Sequence, residues 1–149
     1  MSKDQIICPV CEMGKLVIKK GPSSFCYKGY DFSFEDIEYC ECPSCHYEVI
    51  MPEQSERNEA RIRDEHRKID GLLTSAEIIQ LRKRFNISQS QAAQIFSDST
   101  NAFSNFEQVE KGEITQSLGM DKLMKLALRV PHCFDELCKM AKQAQGQCH

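Results

Sequence analysis

No apolar run in this 149-residue chain approaches membrane-spanning length, and the polar start MSKDQ leads into no apolar segment of the secretory type. The sequence therefore predicts a cytoplasmic protein with no membrane association. Internal repeats and low-complexity blocks are also missing, which excludes solenoid architectures. No Ser-His-Asp, Cys-His or paired-carboxylate set falls at meaningful spacing, so an enzyme is the weakest reading. Excess positive charge is absent as well. A formal net charge of −3 confines any nucleic-acid contact to a local surface. Cysteine, by contrast, is abundant. Nine is an odd number that argues against complete pairing, and in a reducing compartment such residues serve as metal ligands or free thiols.

Six of the nine cysteines lie in residues 1–51, together with most of the strand-like sequence. LVIKK at 16–20, SFCYK at 24–28 and YDFSF at 30–34 are β-branched or aromatic runs separated by Gly21-Pro22 and Gly29. Alternation of Tyr30, Phe32 and Phe34 predicts a strand with one apolar face. A segment this small cannot fold on a hydrophobic core alone and needs a staple. Cys8-Pro-Val-Cys11 and Cys42-Pro-Ser-Cys45 provide one: each pair can turn two thiolates toward one ion. Four thiolates in a tetrahedron suit a single structural Zn2+ and leave no open position for substrate. Cys40 is too near Cys42 for a knuckle and reads as an alternating strand residue or a spare thiol beside the metal. Cys26 reads as a small core residue, and His46 finds no vacancy among the four sulfurs. A rubredoxin-like iron site would favour Gly after each second cysteine, where this chain has Glu12 and His46.

Residues 52–71 change character. EQSERNEARIRDEHRKID alternates acidic and basic residues with little apolar content, and predicts an exposed charged helix acting as a solvated spacer. From Leu72 the periodicity is helical. Ser75–Phe85 aligns Ile78, Leu81 and Phe85; Gln116–Val130 aligns Leu123, Leu126, Ala127 and Val130 and stops at Pro131; a last helix spans 133–144. The expected fold is α+β: a β-rich zinc-binding domain at 1–51, a charged helical linker at 52–71 and an all-α domain at 72–149.

Within that last domain, Ile87–Phe106 has the format of a helix-turn-helix. Ser88 with Gln91 forms a capping box, Ala92, Ile95 and Phe96 recur at helical spacing, and Ser97-Asp98 supplies a turn. Ser99 can cap a second helix that turns Phe103 and Phe106 inward and leaves Thr100, Asn101, Ser104 and Asn105 outward. Short hydrogen-bonding side chains on such a face suit a major groove. Arg82, Lys83 and Arg84 can reach phosphates, Gln89 sits at the front of the positioning helix, and Asn101 or Asn105 can pair with adenine.

Together, Cys8-x-x-Cys11, Cys42-x-x-Cys45, the charged linker and ISQSQAAQIF...TNAFSNFE...KGE resemble the MqsA (YgiT) antitoxins of bacterial type II toxin–antitoxin modules. The resemblance covers nearly the whole chain, and Asn-Ala-Phe-Ser at 101–104 is its most specific part. It implies a zinc domain that neutralises a small ribonuclease toxin of the MqsR type. It also implies an Xre/Cro-type domain that forms a homodimer, binds operator DNA and represses its own operon. Asn101 carries over as a base contact, and Cys8, Cys11, Cys42 and Cys45 as zinc ligands. The chain departs from the family pattern where Asn105 stands in place of an arginine, and where it reads as carrying an insertion of about three residues, near Gln108–Glu110, before Lys111-Gly112. Without a toxin, the same features read as a protein-interaction adaptor or a stand-alone regulator.

Overall fold

The computed structural model describes residues 5–97 and 102–146, the side chains of 102–104 and 143–146 excepted. The architecture is α+β: a three-stranded antiparallel sheet in the order β1-β2-β3 precedes six helices. The chain divides into two compact units, Met1–Arg61 and Ile62–His149.

In the first unit, the runs expected as two strands at 16–20 and 24–28 are one strand, β1 (Val17–Tyr27). Its pairing with β2 (Tyr30–Glu41) shifts register between Gly21 and Ser23. A bulge accommodates Pro22, which has no N–H to give to the ladder. A side chain at Gly21 would press on the Tyr39 ring, whose Cε1 lies 3.3 Å from the position of a Cβ. Lys28 and Gly29, both at positive φ, turn the hairpin. Of the expected face, Phe32 and Phe34 pack together and are joined by Phe25, stacked on Phe32 at 5.5 Å, whereas Tyr30 at the hairpin end is exposed. Cys26 points the other way and is exposed, not a core residue, because the β1 alternation that half-buries Phe25 turns its neighbour outward. The short β3 (Glu48–Val49) completes the sheet.

Helix α1 (Pro52–Asp70) corrects the expectation of a solvated spacer. Gln54, Asn58 and Arg67 are buried. Asn58 accepts from the Glu38 N–H at 3.1 Å and donates to the Glu38 carbonyl at 3.0 Å, replacing water on a strand backbone. Arg57 forks onto the Glu38 carboxylate, and Arg61 pairs with Asp36 while lying over the Phe34 ring. Polar residues are buried here because each finds a partner. Cys40, an alternating strand residue, is buried with its Sγ 3.6 Å from Gln54 Oε1.

In the second unit, α2 (Ser75–Phe85) opens on a Thr74–Glu77 capping box and ends at Asn86 in the left-handed region. α3 (Gln89–Phe96) carries the expected Ser88–Gln91 capping box. α4 (Ala102–Lys111) closes at Gly112, φ 82°. α5 (Leu118–Arg129) begins after Ser117, later than expected, because Gln116 leaves the helix to donate to the Leu73 carbonyl and the Asp121 carboxylate, each at 2.9 Å. Pro131 both ends that pattern and opens α6 (Pro131–Gly146). Ile78, Leu81, Ala92, Phe96, Phe106, Val109 and Met124 form the core.

Candidate metal centre and the α3–α4 face

The two Cys-x-x-Cys turns fold alike. In the first, the Cys8 carbonyl accepts the Glu12 N–H at 3.0 Å; in the second, the Cys42 carbonyl accepts the His46 N–H at 2.8 Å. Both turns finish with a residue in the left-handed region, Glu12 at φ 58° and His46 at φ 65°. That conformation is why glycine would be favoured after each second cysteine. Leu16 N–H bonds the Ile6 carbonyl and Cys42 N–H bonds the Tyr47 carbonyl, which anchors the turns to the sheet region.

This geometry brings Cys8, Cys11, Cys42 and Cys45 together, with all four sulfurs within 4.8 Å of one another. Cys8–Cys45 and Cys11–Cys42 are each separated by 3.6 Å. A tetrahedron of metal–sulfur bonds of about 2.3 Å has edges of about 3.8 Å, so the sulfur set fits such an ion with little adjustment. Cys8 and Cys42 are fully buried. Gly14 makes room: a Cβ there would sit 2.5 Å from Cys42 Sγ. Backbone N–H groups of Gly14 and Met13 hold the Cys11 thiol down to about 6. The Tyr47 N–H pulls Cys45 the same way, but burial and the three neighbouring sulfurs push it up to about 12. Four sulfurs this close cannot all ionise without a cation among them. His46 stands outside the set, exposed, with its Nδ1 3.5 Å from Glu41.

The α3–α4 face is organised by Glu110, a residue the sequence reading assigned to an insertion. Glu110 and Val109 lie inside α4 and are buried. Arg82 Nε and Nη2 each donate to the Glu110 carboxylate at 2.8 Å, and Gln89 Nε2 adds a third bond at 3.1 Å. Burial works against the carboxylate, yet these donors hold it below the usual range. Arg82, expected at phosphates, thus turns inward, its remaining Nη1 on the Ile87 carbonyl. Arg84 lies over Phe85 and donates to the Leu128 carbonyl. Asn105 is exposed on α4. Ser99, Thr100 and Asn101 lie outside the described residues, as does the Ser104 side chain. The available sequence signal for Glu110 is its place at i+4 from Phe106, which puts the two on one face of the helix.

Both halves of the sequence, cysteine turns and helical domain, fall within one profile, described as the antitoxin component of a bacterial toxin–antitoxin system, MqsA, that matches residues 6–138. The chain belongs to the MqsA antitoxin family. A curated relative, Antitoxin MqsA of Escherichia coli (strain K12), is 24% identical over 131 residues, covering 87% of this chain and 98% of the relative. The MqsA match thus spans the four-sulfur cluster and helices α2–α5 alike. No helix among the described residues is long and apolar enough to cross a membrane.

Proposed function

We propose that this antitoxin binds one structural zinc ion through Cys8, Cys11, Cys42 and Cys45. In this reading its N-terminal unit engages a small ribonuclease toxin, and its helical unit binds operator DNA as a dimeric autorepressor in the cytoplasm. It acts by binding and performs no catalysis. The observation that carries the reading is the coexistence, in one family-matched chain, of a four-thiol cluster and a capped α3 packed on α4. The zinc closes a unit with little core of its own and supplies on the order of 10 kcal/mol of folding free energy. Residues 1–51 serve metal and toxin, 52–71 connect, and 72–149 serve DNA.

To Ser99, Thr100, Asn101, Ser104 and Asn105 we assign the groove contacts, with Asn101 at a base, and to Arg84 a contact with the phosphate backbone. Arg82 and Gln89 tie α2 and α3 to α4 through Glu110. Small helix-turn-helix modules read two half-sites as dimers. An apolar strip between α5 and α6, lined by Leu123, Leu126, Leu137 and Met140, with Leu126 and Met140 exposed, supports pairing with a second copy.

A mobility-shift assay on duplexes tiling the region upstream of the gene tests the reading. Wild type should bind one fragment as a dimer, and Asn101→Ala should weaken that complex about tenfold. Absence of binding to every fragment at low salt would overturn the DNA half. A copurified ribonuclease whose activity returns when the antitoxin is removed would support the toxin half; an antitoxin that leaves such an enzyme fully active would sink it.

A further inference from the structure

We infer that the first cysteine turn, through Ile7, Val10 and Met13, is the apolar anchor on which the toxin docks, an inference that rests on the toxin-binding reading above. Large apolar side chains crowd the surface of this short stretch: Ile6 is 43% exposed, Ile7 58%, Val10 62% and Met13 85%. Single exposed apolar residues are ordinary, whereas four within residues 6–13 mark an interaction surface. The loop that carries them is held in place. A bridge between Ile7 and Lys15 closes it, Cys8 N–H bonds the Gly14 carbonyl at 2.8 Å, and Val10 N–H donates to Cys8 Sγ at 3.4 Å. A backbone ordered before binding spares the complex that entropic cost.

The second cysteine turn shows that the fold does not require these side chains. It repeats the first, with the same carbonyl-to-amide closure from Cys42 to His46 and the same left-handed residue at its end. Yet an exposed Ser44 stands where the first turn has Val10, and a half-buried Tyr47 where it has Met13. A hydroxyl side chain is therefore compatible with the turn at the Val10 position, and burial accounts for neither Val10 nor Met13.

Charge identifies the occupant. Residues 1–61 carry eleven acidic and seven basic side chains. Within the loop Glu12 and Lys15 cancel, but four thiolates around one divalent ion leave a formal charge of about −2 at its base. An apolar anchor on an anionic unit fits a partner with an apolar recess rimmed by Lys and Arg. A ribonuclease carries such cations because it must hold an RNA backbone. A methionine at the tip suits the contact, since its unbranched side chain adapts to an irregular recess.

Titration of the purified small ribonuclease encoded beside this gene with full-length, zinc-loaded antitoxin tests the assignment, read by calorimetry and by cleavage of a labelled RNA. Wild type should bind the enzyme and silence it. Val10→Ser and Met13→Ser should each weaken binding about tenfold through faster dissociation, and the double variant about a hundredfold, with the salt dependence unchanged. Ile50→Asp, at an exposed apolar position outside the loop, should bind as wild type does. Zinc content and thermal melts equal to wild type establish that the variants fold; Met13→Ser, the most exposed of the changes, decides by itself if Val10→Ser loosens the turn. Wild-type affinity in zinc-loaded Met13→Ser or in the zinc-loaded double variant, or an equal loss with Ile50→Asp, would overturn the assignment while leaving toxin binding intact. Failure of wild type to bind the ribonuclease would instead remove the toxin reading, and this assignment with it.

Discussion

The Glu110 carboxylate receives both Nε and Nη2 of Arg82, at 2.8 Å each, in a pair whose acidic member is 6% exposed. This fork joins α2 to α4, and Gln89 on α3 completes it. The interaction fastens three helices through one carboxylate, so its loss bears on both stability and the attitude of α4.

Glu110→Ala leaves Arg82 uncompensated beside the core and should destabilise the helical unit by about 3 kcal/mol, read by urea denaturation. The pH dependence has a definite sign. Burial alone would raise the Glu110 pKa, but Arg82 and Gln89 bring it below the ordinary value. Its contribution is therefore present above the unfolded value of about 4.3 and is lost as pH falls through the lower folded value. The gap between wild type and Glu110→Ala should narrow below about pH 4; a gap independent of pH would show that the ion pair is not its source.

Arg67 provides a second test. Its side chain is 0% exposed and donates to Asp64, Ser75 and the carbonyls of Val109 and Ile114. Arg67→Ala strands two carbonyls and should cost about 3 kcal/mol or more in the helical unit. Arg67→Lys should recover little, because an ammonium cannot reproduce the planar fork. Full recovery with lysine, measured by chemical denaturation, would show that charge alone matters at this position.

At the sulfur cluster, Gly14→Ala drives a methyl to within 2.5 Å of Cys42 Sγ and 2.8 Å of Ser44 Oγ. Zinc affinity should fall about tenfold or more, by competition with a chromophoric chelator. Glu12→Gly works in the opposite direction, since Glu12 already sits at φ 58°. It should leave zinc content unchanged and alter stability by no more than about 1 kcal/mol, toward the stable side. Equal zinc affinity for Gly14→Ala and wild type would refute the steric account.

Chelation separates the two units. Stripping metal should expose the β1 and β2 amides to hydrogen exchange while α2–α5 keep their protection, because the Ile78–Phe106–Met124 core contains no cysteine ligand. Collapse of protection throughout the chain would show that the helical core depends on the metal.

Local chemistry was legible in the residues themselves. The Ser88–Gln91 capping box is closed by partners three positions apart, and the Cys-x-x-Cys spacing builds each knuckle within a single turn. The alternation around Phe32 and the helical periodicity around Ile78 report burial directly. The Thr74–Glu77 capping box carried the same signal and lay one residue ahead of the expected helix start.

Other features depended on groups far apart in the chain. A run such as EQSERNEARIRDEHRKID reads as solvated because nothing nearby neutralises it, yet Arg67 is buried by carbonyls 42 and 47 residues away. Arg82 and Glu110 meet across 28 residues, turning an expected phosphate contact into an interior clamp. The sequence by itself determined the two cysteine turns, the helix starts and the apolar faces, since those need only neighbours within one turn or one strand. Which charged residues are buried, and how α4 is rotated, were decided by tertiary structure, because a polar group's cost of burial depends on a partner that only the folded chain brings within reach.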